Sequence, residues 1–270
     1  MRGRSGDSAG SHIQNSPVSV LGDWSIQSSA VGSSETSHEH DRRLPTEAGG
    51  LACTWQDGLP SVPPRTWGRD AQLVLKRAID AVIASLALVA LSPLLIVVAL
   101  IIKLADGGPI LFRQSRVGLG GKPFDILKFR SMRVDGCDFS GAKQTKAGDD
   151  RLTRVGSFLR RTSIDELPQL LNIVIGDMSL VGPRPHVQGQ LAAHRPYIEL
   201  VPYYDSRYLM RPGLTGWAQC NGLRGPTDDA HLARARIEHD IAYIQNFSLF
   251  LDVRIVLRTL VHEFLTGSGL

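Results

Sequence analysis

The sequence predicts an α+β, helix-rich chain: a membrane-embedded helical segment joined to a domain with a small β-hairpin and amphipathic helices. Three observations predict it. From Ala81 to Ile102 no residue is charged, and Asp80 and Lys103 bracket the run. Between Pro109 and Met132, two short β-prone runs surround a cluster of glycines. Beyond residue 150, apolar residues recur at helical spacing in three stretches;.

An uncharged run of this length can cross a bilayer as a helix. A soluble core helix rarely needs apolar residues on every face. Ser92-Pro93 falls near its middle. Proline removes a backbone donor and crowds the carbonyl four residues back, so a kink is expected there. Two readings stay open: a proline-kinked spanning helix, or a helix–break–helix hairpin that enters and leaves by one face. Basic residues stand on both sides, with Arg65, Arg69, Lys76 and Arg77 before the run and Lys103, Arg113 and Arg116 after it. A spanning helix normally has its basic excess on one side, so the charges lean toward the hairpin.

The chain has 270 residues, a net charge of +4 and a pI of about 9.1. That mild basicity suits an anionic membrane surface or phosphate-bearing substrates. It does not argue for nucleic acid, and no helix-turn-helix, zinc-finger or RNA-binding string appears. Cys53, Cys137 and Cys220 are far apart and unpaired in spacing, which excludes a disulfide framework or zinc site and points to a reducing compartment;.

Residues 1–68 are rich in Ser, Gly, His and Pro and are expected to be disordered;. Residues 69–105 are expected to form the membrane segment, and 106–270 a cytosolic domain. No apolar region follows the basic start, so a signal peptide is not expected. Asp106 to Pro109 end the helix. Ile110-Leu111-Phe112 and Phe124 to Leu127 then read as strands around Gly118, Gly120 and Gly121;. Gly120-Gly121-Lys122 is not a phosphate-binding P-loop, because Arg116 replaces its first glycine and Pro123 follows the lysine.

Val134 to Asp150 read as a mobile loop. Leu152, Val155, Phe158 and Leu159 give an amphipathic helix whose arginine face suits either water or a membrane surface;. Ser163 and Glu166 have capping-box spacing, and Pro168 suits a first helical turn, so a helix is expected to start here. Asp165 and Glu166 then lie at its positive end, where plain capping explains them as readily as phosphate chemistry does. Arg184 stands between Pro183 and Pro185, on a stiff backbone suited to clamping phosphate or nucleotide;. Arg211 to Gln219 form a Gly/Pro loop that lines a pocket or packs. His231 to Phe247 and Leu249 to Leu265 are helices, the second lying against the membrane or the core. The histidines show no metal-ligand spacing.

Five strings occur in order: the apolar segment with Ser92-Pro93, KFRSM (Lys128 to Met132), SIDELPQLLN (Ser163 to Asn172), GDMSLVGPRP (Gly176 to Pro185) and RPGLTGWAQ (Arg211 to Gln219). They closely resemble the bacterial sugar transferases, monotopic polyprenyl-phosphate phosphoglycosyl transferases, over about Val74 to the C-terminus. The resemblance implies transfer of a sugar-1-phosphate from a UDP-sugar to undecaprenyl phosphate, starting exopolysaccharide synthesis at the cytoplasmic face of the bacterial inner (plasma) membrane. It implies Asp165 and Glu166 as the catalytic dyad, with Asp165 forming a phosphosugar–enzyme, releasing UMP and holding Mg2+. It implies Arg184 as a nucleotide or phosphate contact. Lys128, Arg130, Arg160 and Asp240 match charged positions assigned to substrate binding. Ser92 and Pro93 match the family's membrane break, which favours the re-entrant hairpin. Asn221 to Gly225, with Thr227-Asp228, look more like glucose-1-phosphate members than galactose members, and UDP-galactose or an N-acetylated UDP-sugar is the alternative. Membrane lipids are implied partners, nucleic acid is not, and a homo-oligomer is left open. A non-catalytic scaffold of a polysaccharide assembly complex is the competing class.

Overall fold

A computed structural model describes residues 47–64, 66–133, 149–225 and 227–266. The expected loop over 134–150 falls almost entirely outside them, as does most of the N-terminal segment. Its remainder differs from expectation. Within the stretch read as disordered, β1 (Glu47–Ala48) pairs antiparallel with β2 (Leu51–Ala52), and β3 (Trp55–Gln56) with β4 (Leu59–Pro60). These strands are too short to show a period. Contacts made elsewhere fix them: Trp217 Nε1 donates to Ala48 O at 2.8 Å, Asn246 Nδ2 to Ala52 O at 2.8 Å, and Gln245 Nε2 to Thr54 O at 2.9 Å.

Thr66 starts α1 (Trp67–Asp106), its hydroxyl accepting from Arg69 N, and Gly107 ends it in the left-handed conformation;. At 40 residues, α1 is long and apolar enough to cross a membrane. The helix runs on through Ser92-Pro93, where the sequence predicts a kink and leaves a spanning helix and a hairpin both open. Pro93 has no N–H for Val89 O, but Ser92 Oγ donates to that carbonyl at 2.8 Å and satisfies it;.

One side of α1 packs on the rest of the chain along most of its length. Ala84 and Leu88 lie against Ile126, Leu170, Ile173 and Met178. Val98 and Ile102 lie against Phe129 and Leu159. The opposite side leaves Val82, Leu86, Val89, Val97, Leu100 and Leu104 exposed. Part of the basic flank also turns inward. Lys76 Nζ, in a buried side chain, meets Asp252 at 2.6 Å and Asp80 at 3.2 Å. Arg77 donates to the carbonyls of Ile173 and Val174 at the end of a later helix.

The predicted β-hairpin is β5 (Leu111–Val117) against β6 (Pro123–Phe129), with Leu111 opposite Phe129 and Val117 opposite Pro123. Gly120 and Gly121 have φ of 65° and 75°, so the turn needs glycine there;. α2 (Arg154–Arg161) follows, capped by Thr153. The capping box does not form. Ser163 takes φ 55° and its side chain does not cap, so Ile164–Glu166 make a short 3-10 turn and α3 (Gln169–Ile175) begins after Pro168.

β7 (Ser179–Val181) then leads past two small strands, β8 (Leu191–Ala192) and β9 (Arg195–Pro196), into α4 (Tyr197–Leu200). β10 (Gly213–Thr215) returns to pair parallel with β7. α5 (Trp217–Cys220), α6 (Ala230–Gln245) and α7 (Leu249–Thr266) complete the chain. Ile237, Ile241 and Ile244 bury the predicted apolar face of α6. α7 sets Leu251 and Ile255 in a core with Val181, Trp217 and Tyr243, and leaves Phe250, Val253 and Leu257 exposed. All described residues belong to the unit Arg43–Leu270.

Candidate active site

Four predicted residues converge at the turn before α3. Asp165 and Glu166 sit on the 3-10 turn, Lys128 on β6 and Arg184 just beyond β7. Lys128 Nζ reaches Glu166 Oε1 at 2.7 Å, and Arg184 Nη2 reaches the same oxygen at 2.8 Å. Arg184 keeps 41% of its side chain exposed, so it can also meet a ligand. Burial works to raise the Glu166 carboxyl, but the charges and hydrogen bonds of Arg184 and Lys128 outweigh it and hold it well below the usual carboxylate range;.

Asp165 is different. It is buried at 6% exposure, and no donor among the described residues hydrogen-bonds it. Burial pushes its carboxyl up to about 6; Lys128 pulls the other way, Glu166 adds to the rise, and Arg160 and Arg184 oppose it. Two adjacent acids with separated ionisation behaviour suit different tasks, one anchored in ion pairs and one left reactive.

The remaining predictions spread out. Arg160 lies within electrostatic reach of Asp165, with Nε donating to Ser131 Oγ at 2.8 Å. Arg130 is buried at the end of the β-hairpin, its N–H bonded to Ile110 O. Asp240 does not reach the dyad as a direct contact. It lies on α6, 1% exposed, and pairs with Arg207 at 2.7 Å. Arg207 Nη2 also donates to Arg184 O at 2.5 Å. The structure therefore makes Asp240 a support two links behind Arg184.

Reading the strings missed Arg207 and Arg116. Arg116 is pushed down to about 10, by burial first and Arg184 second, with Glu166 opposing. It remains a cation at neutral pH beside the Pro-Arg-Pro loop, whose Pro185 O accepts from its Nη1 at 3.4 Å. The alternation of Gln114 and Arg116 on one face of β5 was the available signal. As a flanking charge, Arg116 reads equally well as a membrane-surface residue.

The parallel strands place Arg184. Gly182 N donates to Thr215 O at 2.9 Å, and Gly213 N to Pro183 O at 2.9 Å. A Cβ on Gly213 would lie 2.1 Å from Gly182 N, so the approach requires glycine. Gly213→Ala is expected to push the Pro183–Arg184 segment away and lower catalytic turnover by about 100-fold, the scale for a misplaced group in a preorganised site. Turnover measured on folded variant protein checks this.

The turn before α3 therefore gathers a buried carboxylate, a doubly paired carboxylate and the cations Lys128, Arg160 and Arg184, a set whose charges suit phosphate oxygens;. The described residues hold no group of three or more His, Cys, Asp or Glu able to chelate a metal alone. Residues 71–266 match the family model for bacterial sugar transferases. The chain is 54% identical over 197 residues to an exopolysaccharide production protein of Rhizobium leguminosarum bv. phaseoli, covering 73% of this chain and 98% of that one. It is 56% identical over 197 residues to a UDP-glucose:undecaprenyl-phosphate glucose-1-phosphate transferase of Caulobacter vibrioides, covering 72% and 71%. It is 45% identical over 195 residues to a UDP-N-acetylgalactosamine-undecaprenyl-phosphate N-acetylgalactosaminephosphotransferase of Aeromonas hydrophila, covering 72% and 44%. With the family model matched over residues 71–266, the chain belongs to the bacterial sugar transferases.

Proposed function

We propose that this protein transfers glucose-1-phosphate from UDP-glucose to undecaprenyl phosphate, as the initiating step of exopolysaccharide synthesis. The observation that carries the mechanism is the unequal pair, with Glu166 held by Lys128 and Arg184 and Asp165 left without a hydrogen-bond donor. An Asp165 oxygen attacks the β-phosphorus of the UDP-sugar. The bond from that phosphorus to the bridging oxygen breaks, and UMP leaves with the oxygen. A phosphate oxygen of the lipid then attacks the same phosphorus and releases the Asp165 carboxylate. Splitting one transfer into two is covalent catalysis. Arg184, Lys128 and Arg160 hold the phosphate oxygens as charge redistributes.

The residues fit a magnesium ion as the family resemblance implies. Asp165 offers one acceptor-only carboxylate, and magnesium is commonly held by one or two carboxylates plus substrate phosphates. When bound, the ion supplies charge neutralisation at the diphosphate. EDTA is expected to reduce UMP release to background, with recovery on adding magnesium.

The membrane placement we propose rests on α1. Its two halves pack on the same domain, on Ile126 and Met178 at one end and Phe129 and Leu159 at the other. A helix passing straight to the far side would leave one half without that partner. This supports a re-entrant placement on the cytoplasmic face, with the exposed apolar side of α1 in lipid. The apolar exposed stripe of α7 fits the interface.

The Caulobacter vibrioides relative favours glucose. The Aeromonas hydrophila relative favours a second reading, an N-acetylated donor. UMP release in lipid nanodiscs containing undecaprenyl phosphate separates them. Turnover with UDP-glucose well above that with UDP-N-acetylgalactosamine or UDP-galactose supports the proposal, and the reverse order overturns the sugar assignment.

A further inference from the structure

Four consecutive carbonyls hold the Pro-Arg-Pro loop to its neighbours. Pro183 O accepts from Gly213 N at 2.9 Å, Arg184 O from Arg207 Nη2 at 2.5 Å, and His186 O from Val117 N at 2.9 Å. The remaining one, Pro185 O, accepts from Arg116 Nη1 at 3.4 Å, the longest of the set. The loop is thus fastened at both ends without Arg116, and a neutral donor would serve Pro185 O as well. Arg116 is instead a full charge on β5, partly exposed beside Arg184 and in no ion pair among the described residues. Its Nη2 donates to the neutral Gln114 side chain. Arg184 acts on its charge unfavourably, and Glu166, which could answer it, is already shared by Arg184 and Lys128. Drawing a cation out of water beside another cation costs stability unless an anion joins them.

The contacts also give a direction. Asp165 adjoins Glu166, Glu166 pairs with Arg184, and Arg184 adjoins Pro185, which meets Arg116. The charged groups acting on Asp165 are Lys128, Glu166, Arg160 and Arg184, whereas those acting on Arg116 are Arg184 and Glu166. Arg116 therefore stands on the far side of Arg184 from Asp165. In a displacement at phosphorus the attacking and leaving oxygens lie roughly in line, so a donor attacked by Asp165 points its leaving group away from Asp165. As the Asp165 oxygen bonds to the β-phosphorus, the bond from that phosphorus to the bridging oxygen breaks and its electron pair stays on the oxygen. The negative charge that Asp165 brings passes to UMP, and no proton is needed. We propose that Arg116 is a contact for the leaving group: its guanidinium donates to the α-phosphate oxygens of the UDP-sugar, where negative charge grows as UMP departs. A guanidinium fork suits two phosphate oxygens at once. This rests on the phosphoryl-transfer reading above. It assigns Arg116 to the first step alone, because UMP has left before the lipid phosphate takes the sugar phosphate from Asp165.

The test separates the two steps with purified protein in detergent. The first is read as the rate of UMP and adduct formation from UDP-glucose without lipid acceptor. The second is read as the rate at which isolated adduct is lost on adding undecaprenyl phosphate. Arg116→Gln keeps a donor for Pro185 O and removes the charge. Its first step should slow on the order of 100-fold, the usual loss for one transition-state donor, while its second stays within about threefold of wild type. Arg116→Lys keeps the charge without the fork and should slow the first step alone, on the order of 10-fold; it is the deciding variant if Arg116→Gln does not fold. Either variant with a first step within about threefold of wild type overturns the proposal. So does equal slowing of both steps, because that marks Arg116 as a brace for Arg184. Wild-type protein that releases no UMP from any UDP-sugar overturns the transfer reading itself, a result separable from both.

Discussion

Asp165→Asn is expected to lower UMP release by a factor of about 10⁴ or more, the scale for loss of a catalytic nucleophile. The amide has the same shape but cannot form the acyl phosphate. Stability should move the other way. Asp165 is buried, accepts no hydrogen bond among the described residues, and has its carboxyl raised chiefly by burial. A buried charge without hydrogen bonds opposes folding, and the neutral amide relieves that cost. The variant should therefore melt at or above wild type while being inactive. An inactive variant with a much lower melting temperature would instead make Asp165 a structural residue.

Arg207→Met carries the second large effect, on stability and activity together. Arg207 and Asp240 have side chains only 1% and 2% exposed. Burial works against the Arg207 charge, but Asp240 outweighs it. Methionine would leave Asp240 as a buried acid without its partner, at a cost of about 3–5 kcal/mol. For a domain of this size that is roughly 10 °C in melting temperature. Arg184 would also lose the donor that holds its carbonyl. Replacing both partners, Arg207→Met with Asp240→Leu, should recover most of the melting temperature without recovering full turnover. A single variant that melts within 2 °C of wild type would contradict the assignment.

The candidate site residues are legible because they sit in short strings. Asp165 and Glu166 are neighbours, Arg184 is framed by prolines, and Lys128 lies next to the end of a strand. The β-hairpin was legible from its glycines, and α6 from its three isoleucines. The supporting layer was not. Arg207 reads as a surface arginine until Asp240, 33 residues away, is folded against it. One local rule failed. Ser163 adopted a left-handed backbone, so the capping box gave way to a 3-10 turn. The strands from Glu47 to Pro60 depend on Trp217, Gln245 and Asn246, which lie far away in sequence.

A covalent bond to Asp165 would show itself most directly in the intact mass of the protein. Purified protein is mixed with magnesium and UDP-glucose without lipid acceptor, beside UDP-galactose and the Asp165→Asn variant, with UMP measured in parallel. The expected result is a mass increase of one hexose phosphate with UDP-glucose, stoichiometric UMP, and neither in the variant. Folded wild-type protein that shows no adduct and releases no UMP with any UDP-sugar would contradict it.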